Sequence, residues 1–173
     1  MTTEPEKAEP PKSPNSLRLT LWVLLIVYIF NFLDRQIVNI LAEPISRDLG
    51  LSDTQIGLMT GIAFAAFYTF LGIPIARYAD RPKTNRVGLI SVSLIIWSGM
   101  TALCGVAQNF VQLLLARIGV GVGEAGCTPA AHSLIADLAP PEKRASAISF
   151  YSLGIPIGSL LGMVIGGLVA DAY

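Results

Sequence analysis

Five stretches of this sequence are long enough and apolar enough to cross a lipid bilayer. A hydrocarbon core about 30 Å thick needs roughly 20 apolar residues in a helix. The stretches that meet this requirement lie at about 17–42, 54–76, 87–107, 110–135 and 145–170. The connections between them are short, so neighbouring helices must run antiparallel. The sequence therefore predicts an all-α, polytopic membrane protein with five transmembrane helices.

The boundaries of these segments carry local signals. Residues 1–16 are polar, rich in proline and mixed in charge, which predicts a disordered cytoplasmic tail and no cleavable signal peptide. The membrane domain is then expected over residues 17–173. Glu43-Pro44 is expected to close the first helix, and Ser52-Asp53 is a start signal for the second.

Composition points the same way and excludes several classes of function. Only 14% of the residues are charged and 53% are hydrophobic, whereas a soluble domain is about one quarter charged. The formal net charge is zero, which argues against a nucleic-acid partner. With two cysteines and one histidine, neither a metal site nor a cofactor is expected. Because no nucleophile with a base and no phosphate-binding loop is evident, we do not expect an enzyme.

The basic residues outside the segments predict the orientation. Nine lie in the tail, at the very start of the first segment, or in the second and fourth connections, against one in the first connection and none in the third. Positively charged loops remain in the cytoplasm. We therefore expect a cytoplasmic N-terminus and a position in the cell (inner) membrane. The nine residues are Lys7, Lys12, Arg18, Arg77, Arg81, Lys83, Arg86, Lys143 and Arg144.

Charged residues also occur inside two of the apolar segments. Asp34 and Arg35 lie in the first, and Arg117 and Glu124 lie in the fourth. A charge in hydrocarbon costs a few kcal/mol or more, so such residues usually face a protein interior or a water-filled path. At 1.5 Å per residue, Asp34 and Arg117 lie about 13 and 12 Å from the outer side. An ion pair between them is therefore geometrically possible.

This arrangement has a functional and a structural interpretation. Glu124 lies two turns beyond Arg117 on the same helical face, so Asp34, Arg117 and Glu124 form a sequence of acid, base and acid. Such a sequence suits a proton-coupled path, because burial favours the neutral carboxyl and a nearby cation favours the ionised form. Alternatively, the charges only fix helix packing, and Arg35 extends toward the outer interface with no further role.

The fifth segment carries a ladder of small residues. Glycine recurs every fourth position, and closely spaced glycines let membrane helices approach one another. The sequence therefore predicts a continuous groove for another helix, with a hinge or simple tight packing as alternative roles for the proline within it. The residues are Gly154, Pro156, Gly158, Gly162 and Gly166.

A second group of charges lies at the predicted cytoplasmic ends of the helices. Asp80 and Arg81 follow the second segment, and Asp137 follows the fourth. One interpretation is a charge network that closes this face as a cytoplasmic gate. The other is a solvated loop that only sets the orientation, since basic loop residues are needed for topology in any case.

Four stretches resemble the spinster-like branch of the major facilitator superfamily, which includes proton-coupled exporters of lysolipids and sphingosine phosphate. The resemblance covers residues from about 20 to 170. The matching stretches are NFLDRQIVNILAEPI at 31–45, GIPIARYADR at 72–81, ARIGVGVGEAGCTPAAHSLIAD at 116–137 and PPEKRASAISFYSLGIPIGSLLG at 140–162.

The resemblance implies roles for residues at matching positions. Asp34, Arg117 and Glu124 match the residues implicated in proton coupling, and Asp80-Arg81 matches the core of the loop signature between helices two and three. The family has twelve helices in two halves that hold substrate between them, and this chain supplies five. It therefore corresponds to most of the N-terminal six-helix half. A truncated reading frame, or assembly with a missing C-terminal half or another chain, is expected.

Three functions remain open at this point. The resemblance favours a proton-coupled secondary transporter of an amphipathic lipid or organic anion, with the lipid bilayer, protons and that substrate as its partners. A transporter of a small organic or sugar acid within the same superfamily is the first alternative. The second is a non-transporting five-helix protein that oligomerises through the glycine groove.

Overall fold

The computed structural model of the protein describes residues 14–172, with side chains from residue 16 onward. The predicted disordered tail, apart from its last three residues, lies outside the described part. Within residues 14–172 the chain is helical and contains no strand. The elements in chain order are α1 (Pro14–Ile40), α2 (Ala42–Leu49), α3 (Asp53–Gly57), a π-helical segment (Leu58–Ile62), α4 (Ala63–Ala79), α5 (Arg86–Cys104), α6 (Phe110–Leu138), α7 (Pro141–Ser152) and α8 (Gly154–Ala172).

The five predicted membrane segments are confirmed as five long, apolar helical spans. By length and composition each can cross a membrane, and we refer to them as the first to fifth spans in chain order. They are Ser16–Ile40, Asp53–Ala79, Arg86–Cys104, Phe110–Leu138 and Pro141–Ala172.

Proline explains two differences from the predicted boundaries. The first span ends at Ile40, slightly before the expected boundary, because Pro44 cannot donate to the carbonyl of Ile40 four residues earlier. Pro44 itself lies in the first turn of α2, where a missing N–H is tolerated. The fifth span begins earlier than expected and is interrupted at Leu153, between α7 and α8. Pro156 cannot donate to the carbonyl of Ser152 four residues earlier, which accounts for the interruption.

The second span begins as predicted but contains an irregularity that was not expected. Ser52 caps α3 through a reciprocal pair of hydrogen bonds with Gln55. The π-helical segment Leu58–Ile62 then separates α3 from α4. A π-helical turn rotates everything after it relative to a regular α-helix, and such turns are frequent at functional sites. The orientation of α4 therefore could not follow from a regular helical wheel.

The fourth span is the centre of the bundle. Helix α6 packs along α5 and α4 and also contacts α1 and α7, while α1 packs along α8 and α7. Buried residues make up 56% of the apolar window of the fourth span, against 22% or less in the other four spans. Ala79, Ile90, Ile135 and Ala147 meet in one apolar cluster. The cluster lies where α4 ends, α5 begins, α6 ends and α7 begins, next to the two connections that carry most of the basic residues. We call this end of the bundle the basic end.

The glycine ladder of α8 is the surface that receives α1. Gly154, Gly158, Gly162 and Gly166 are all buried. A Cβ on Gly162 would lie 2.6 Å from the Cβ of Gln36, and a Cβ on Gly158 would overlap the carbonyl oxygen of Ile29. The predicted groove is therefore occupied by a helix of the same chain.

We expect Gly158→Ala to lower the free energy of unfolding by about 1–3 kcal/mol, because the methyl group would press on the backbone of α1. The matched control is Gly167→Ala, which lies on the same helix and has no atom near its Cβ position. Titration of the detergent-solubilised chain with sodium dodecyl sulfate, followed by circular dichroism, measures both variants. Equal stabilities of the two variants would contradict the packing described here.

Candidate functional site

Two ion pairs join the first span to the fourth. A 3.3 Å contact links Nη1 of Arg117 to Oδ2 of Asp34. Nη2 and Nε of Arg35 lie 2.6 and 2.8 Å from Oε2 of Glu124. The Glu124 side chain is completely buried and that of Arg117 is 4% exposed. We call these four residues the charge cluster.

The pairing differs in one respect from the order expected from sequence. The Asp34–Arg117 pair is present, but the cation that contacts Glu124 is Arg35 rather than Arg117. Arg35 therefore points inward and does not extend to the outer interface. It follows Asp34 by about 100° around α1, and its long side chain reaches a carboxylate that would otherwise be buried without a partner. The structure brings the three predicted residues together, and their proton-coupling role remains a prediction.

Aromatic rings from the second span surround the two arginines. The guanidinium carbon of Arg35 lies 5.0 Å from the ring centres of both Phe64 and Tyr68. That of Arg117 lies 5.2 Å from the ring centre of Phe64. Each cation–π contact contributes about 0.5–2 kcal/mol, more where water is excluded. Phe64 thus contacts both cations of the charge cluster.

Sequence reasoning did not identify Phe64 and Tyr68 as site residues. They are four residues apart, and their rings stack at 5.9 Å, so an aromatic pair at helical spacing was the available signal. Whether that pair faces the fourth span depends on the π-helical segment that directly precedes α4. Nothing in the local sequence predicted this segment.

The glycines of the fourth span let α4 and α5 approach the charge cluster. A Cβ on Gly121 would lie 3.3 Å from the Phe64 ring, and one on Gly123 would lie 2.6 Å from the backbone nitrogen of Trp97. At Gly126 a Cβ would overlap the hydroxyl of Ser93. The glycine-rich stretch around Glu124 is therefore needed for close helix packing at the site.

The charge cluster retains unused hydrogen-bonding capacity. Oε1 of Glu124 and Nε of Arg117 are buried with no hydrogen-bond partner, as are Oδ1 of Asn31, Nε1 of Trp97 and Oγ1 of Thr101. An unsatisfied buried polar group costs about 1–3 kcal/mol. A region with several such groups can bind water or a polar ligand group. The free oxygen of Glu124 can accept a proton without first displacing Arg35.

The polar contacts at the basic end involve a different arginine from the expected one. Asp137 pairs with Nη1 of Arg86 at 2.5 Å, and Nε of Arg86 donates to the Ser133 hydroxyl at 2.7 Å. The Ser133 hydroxyl in turn donates to the carbonyl of Ala79 at 3.4 Å. This network ties together the ends of α4, α5 and α6.

Asp80 and Arg81 are not part of this network. Asp80 is exposed at the end of α4, and the guanidinium of Arg81 lies over the ring of Tyr78 at 5.7 Å. Arg86 is the first residue of α5, which packs along α6, so Arg86 reaches Asp137 while the two loop residues do not. The structure therefore does not join Asp80 and Arg81 to Asp137. A gating role for the three residues remains a prediction.

No ligand set for a metal ion is present in the part of the chain that the structure describes. Across residues 14–172, no three His, Cys, Asp or Glu side chains lie close enough together to hold one. The two carboxylates of the charge cluster can take up and release protons, and its four residues can exchange ion-pair partners.

Comparison with known proteins identifies several relatives. The sequence model of the Major Facilitator Superfamily matches residues 24–173. An MFS-type efflux pump of Mycolicibacterium smegmatis is 41% identical over 150 residues, covering 87% of this chain and 34% of the pump. The human protein spinster homolog 1 is 32% identical over 163 residues, covering 92% of this chain and 30% of that protein. A hexuronate transporter of Bacillus subtilis is 31% identical, covering 87% and 35%.

Solved structures of related transporters also resemble this chain. A bacterial homolog of the human lysosomal transporter Spinster, in an inward-facing and unoccupied conformation, superposes with a TM-score of 0.85 at 47% identity. The alignment covers 91% of this chain and 32% of that protein. The chain therefore spans about one third of the length of the relatives that it matches.

Proposed function

Because this chain belongs to the major facilitator superfamily, we propose that it is the N-terminal part of a secondary transporter that couples substrate movement to protons. The observation that carries the proposal is the Glu124 carboxylate. It is completely buried within a membrane span and is paired through one oxygen to Arg35, while its other oxygen has no hydrogen-bond partner. A buried carboxylate with one cation and one free oxygen is suited to binding and releasing a proton.

The proposed coupling step follows from the two ion pairs. A proton on Glu124 cancels its charge and weakens its attraction for Arg35. Arg35 can then turn toward Asp34, its neighbour along α1, which in turn weakens the contact between Asp34 and Arg117. Protonation at one pair thereby changes the other pair and the contact between α1 and α6. Loss of the proton restores both original pairs.

We propose an amphipathic lipid or organic anion as the substrate class. Support comes from the relatives, which include a sphingosine-1-phosphate transporter of Danio rerio at 29% identity. The hexuronate transporter at 31% identity keeps a small sugar acid as the alternative substrate. Sphingosine-1-phosphate carries a phosphate group and a hexuronate carries a carboxylate, and the arginines of the charge cluster can attract either group.

We further propose that residues 17–173 act as a partial transporter domain that assembles with further helices. The N-terminus is assigned to the cytoplasm, because nine basic residues lie on one side of the predicted spans and one lies on the other. In this orientation the basic end, with Asp80, Arg81 and Asp137, faces the cytoplasm as a gate. Pro156, next to the interruption at Leu153, is assigned as a hinge.

The structure gives less support than the sequence did to the alternative of a non-transporting five-helix protein. It relied on the glycine groove of the fifth span as an oligomer contact. That groove receives α1 of the same chain, so it is not available to a second copy.

Transport measurements on the complete gene product that contains these residues test the proposal. Membrane vesicles carrying it should accumulate a lysophospholipid or a hexuronate when a pH gradient is imposed, and a protonophore should abolish this accumulation. The lysophospholipid is expected to be preferred. Accumulation that is unchanged by the protonophore, or equal in vesicles without the protein, would contradict proton-coupled transport.

A further inference from the structure

One buried aromatic ring touches both cations of the charge cluster. The guanidinium carbons of Arg35 and Arg117 lie 5.0 and 5.2 Å from the centre of the Phe64 ring. Two like charges beside one ring repel each other. Phe64 is 8% exposed, so little water reaches this point to screen the repulsion.

Packing within the chain holds this ring in place. A Cβ on Gly121 would lie 3.3 Å from the Phe64 ring, so the ring rests directly on the backbone of α6. Trp97 and Val120 pack against it in one apolar cluster, and the Tyr68 ring stacks on it at 5.9 Å. Helices α4, α5 and α6 thus fix the ring beside the two arginines.

Uptake of a proton by Glu124 changes the balance of charge in the cluster. With both carboxylates ionised, two acids offset two arginines. Once Glu124 is neutral, Asp34 is the one carboxylate of the cluster for two cations, and the cluster carries a net positive charge. A net charge inside a membrane span is costly. The face of an aromatic ring carries negative potential, so a ring beside both cations lowers this cost.

We propose that Phe64 is a positioning residue that stabilises the charge cluster after Glu124 has taken up a proton. Its ring supplies negative potential to Arg35 and Arg117 when one of their two counter-ions is neutral. The inference rests on the proton uptake at Glu124 that the proposed function contains. A purely structural role would require an apolar side chain of this shape and nothing from the charge distribution of the ring.

Several other titratable groups surround the site, and the test must leave them unchanged. They are Asp34 and Arg35 of α1, Tyr68 of α4, Cys104 of α5, Arg117 and Cys127 of α6, and Tyr151 of α7, which interacts with Cys127. Fluorination of the Phe64 ring alters none of these groups. It withdraws electron density from the ring face and weakens the attraction for cations, while the ring keeps nearly the same shape.

The test replaces Phe64 with a trifluorinated phenylalanine in the complete gene product. Protonation of Glu124 is followed as a function of pH by the infrared absorption of its carboxyl group, and Glu124→Gln identifies that signal. We expect the pH of half-protonation to fall by about 0.5–1 pH unit, which corresponds to one cation–π contact. The protonated cluster carries the net positive charge, so it is the state that loses more when the ring face becomes less negative.

Phe67 provides the matched control on the same helix. It is 43% exposed, and within residues 16–172 no guanidinium lies over its ring. The same fluorination at Phe67 should leave the pH of half-protonation unchanged. Phe64→Tyr retains an aromatic face and should also leave it unchanged, whereas Phe64→Leu should lower it. If Phe64→Leu folds poorly, the fluorinated ring still decides the question.

An unchanged pH of half-protonation with the fluorinated Phe64 ring would overturn the proposal, as would an equal shift from the fluorinated Phe67 ring. Substrate accumulation by the same proteins separates this result from the proposed function. A shift at Phe64 together with accumulation that ignores the pH gradient would support the role of the ring and contradict proton-coupled transport. No shift together with gradient-driven accumulation would do the reverse. A Glu124 carboxyl that takes up no proton would contradict both.

Discussion

Replacing Arg117 with glutamine should lower the free energy of unfolding by about 3 kcal/mol or more. The substitution leaves Asp34 without its cation in a site where the acid is only 12% exposed, and removing one member of a buried pair typically costs 3–5 kcal/mol. The cation–π contact with Phe64 is lost as well. Titration with sodium dodecyl sulfate, followed by circular dichroism, measures the change.

The double variant Asp34→Asn/Arg117→Gln distinguishes loss of the pair from loss of packing. Two neutral amides of similar size leave no buried charge, so we expect the double variant to be more stable than the Arg117→Gln single variant. Arg47→Gln is the control, because Arg47 and Glu43 form an exposed pair with side chains 76% and 69% accessible. Its effect should stay within about 0.5 kcal/mol. Additive effects at Asp34 and Arg117 would show that the two charges do not interact.

Replacing Glu124 with glutamine should reduce proton-driven transport by the complete gene product to the background of vesicles without the protein. Glutamine retains a hydrogen-bond acceptor for Arg35 but cannot take up a proton, so coupling is lost. The unpaired Arg35 side chain is 27% exposed, so we expect a smaller loss of stability than for Arg117→Gln, and membrane insertion is preserved. Exchange of substrate across the membrane in the absence of a pH gradient should continue. The measurement is accumulation of labelled substrate with and without the gradient.

The matched control for this variant is Glu43→Gln, because Glu43 is an exposed carboxylate in α2. Its rate of proton-driven transport should equal that of the unsubstituted protein. Undiminished gradient-driven transport by the Glu124→Gln variant would remove Glu124 from the coupling mechanism. A loss of both driven transport and gradient-free exchange would assign Glu124 to substrate binding instead.

Sequence reasoning was most successful where a property is local to one helix. Length and hydrophobicity were sufficient to identify the five spans, since a hydrocarbon core requires about 20 apolar residues whatever the neighbours are. The four-residue repeat of glycine in α8 identified a close-packing face in the same way, because residues four apart lie on one side of a helix.

It was least successful where a contact depends on the rotation of one helix relative to another. Arg35 and Arg86 were each available in the sequence, and each forms an ion pair that the sequence did not assign, with Glu124 and Asp137 respectively. An arginine side chain can reach several acids at similar depth. Only the packed bundle determines which one it contacts.

The amino-acid sequence by itself determined that this chain forms five membrane helices, that acids and arginines lie inside two of them, and that α8 presents a small-residue face. The tertiary structure decided the pairing of Arg35 with Glu124, the placement of Phe64 between the two arginines, and α1 as the occupant of the α8 groove. The physical reason is that burial and helix formation act along the chain. Ion pairs and ring contacts form between helices, whose relative rotation is set by glycine contacts and by the π-helical segment Leu58–Ile62.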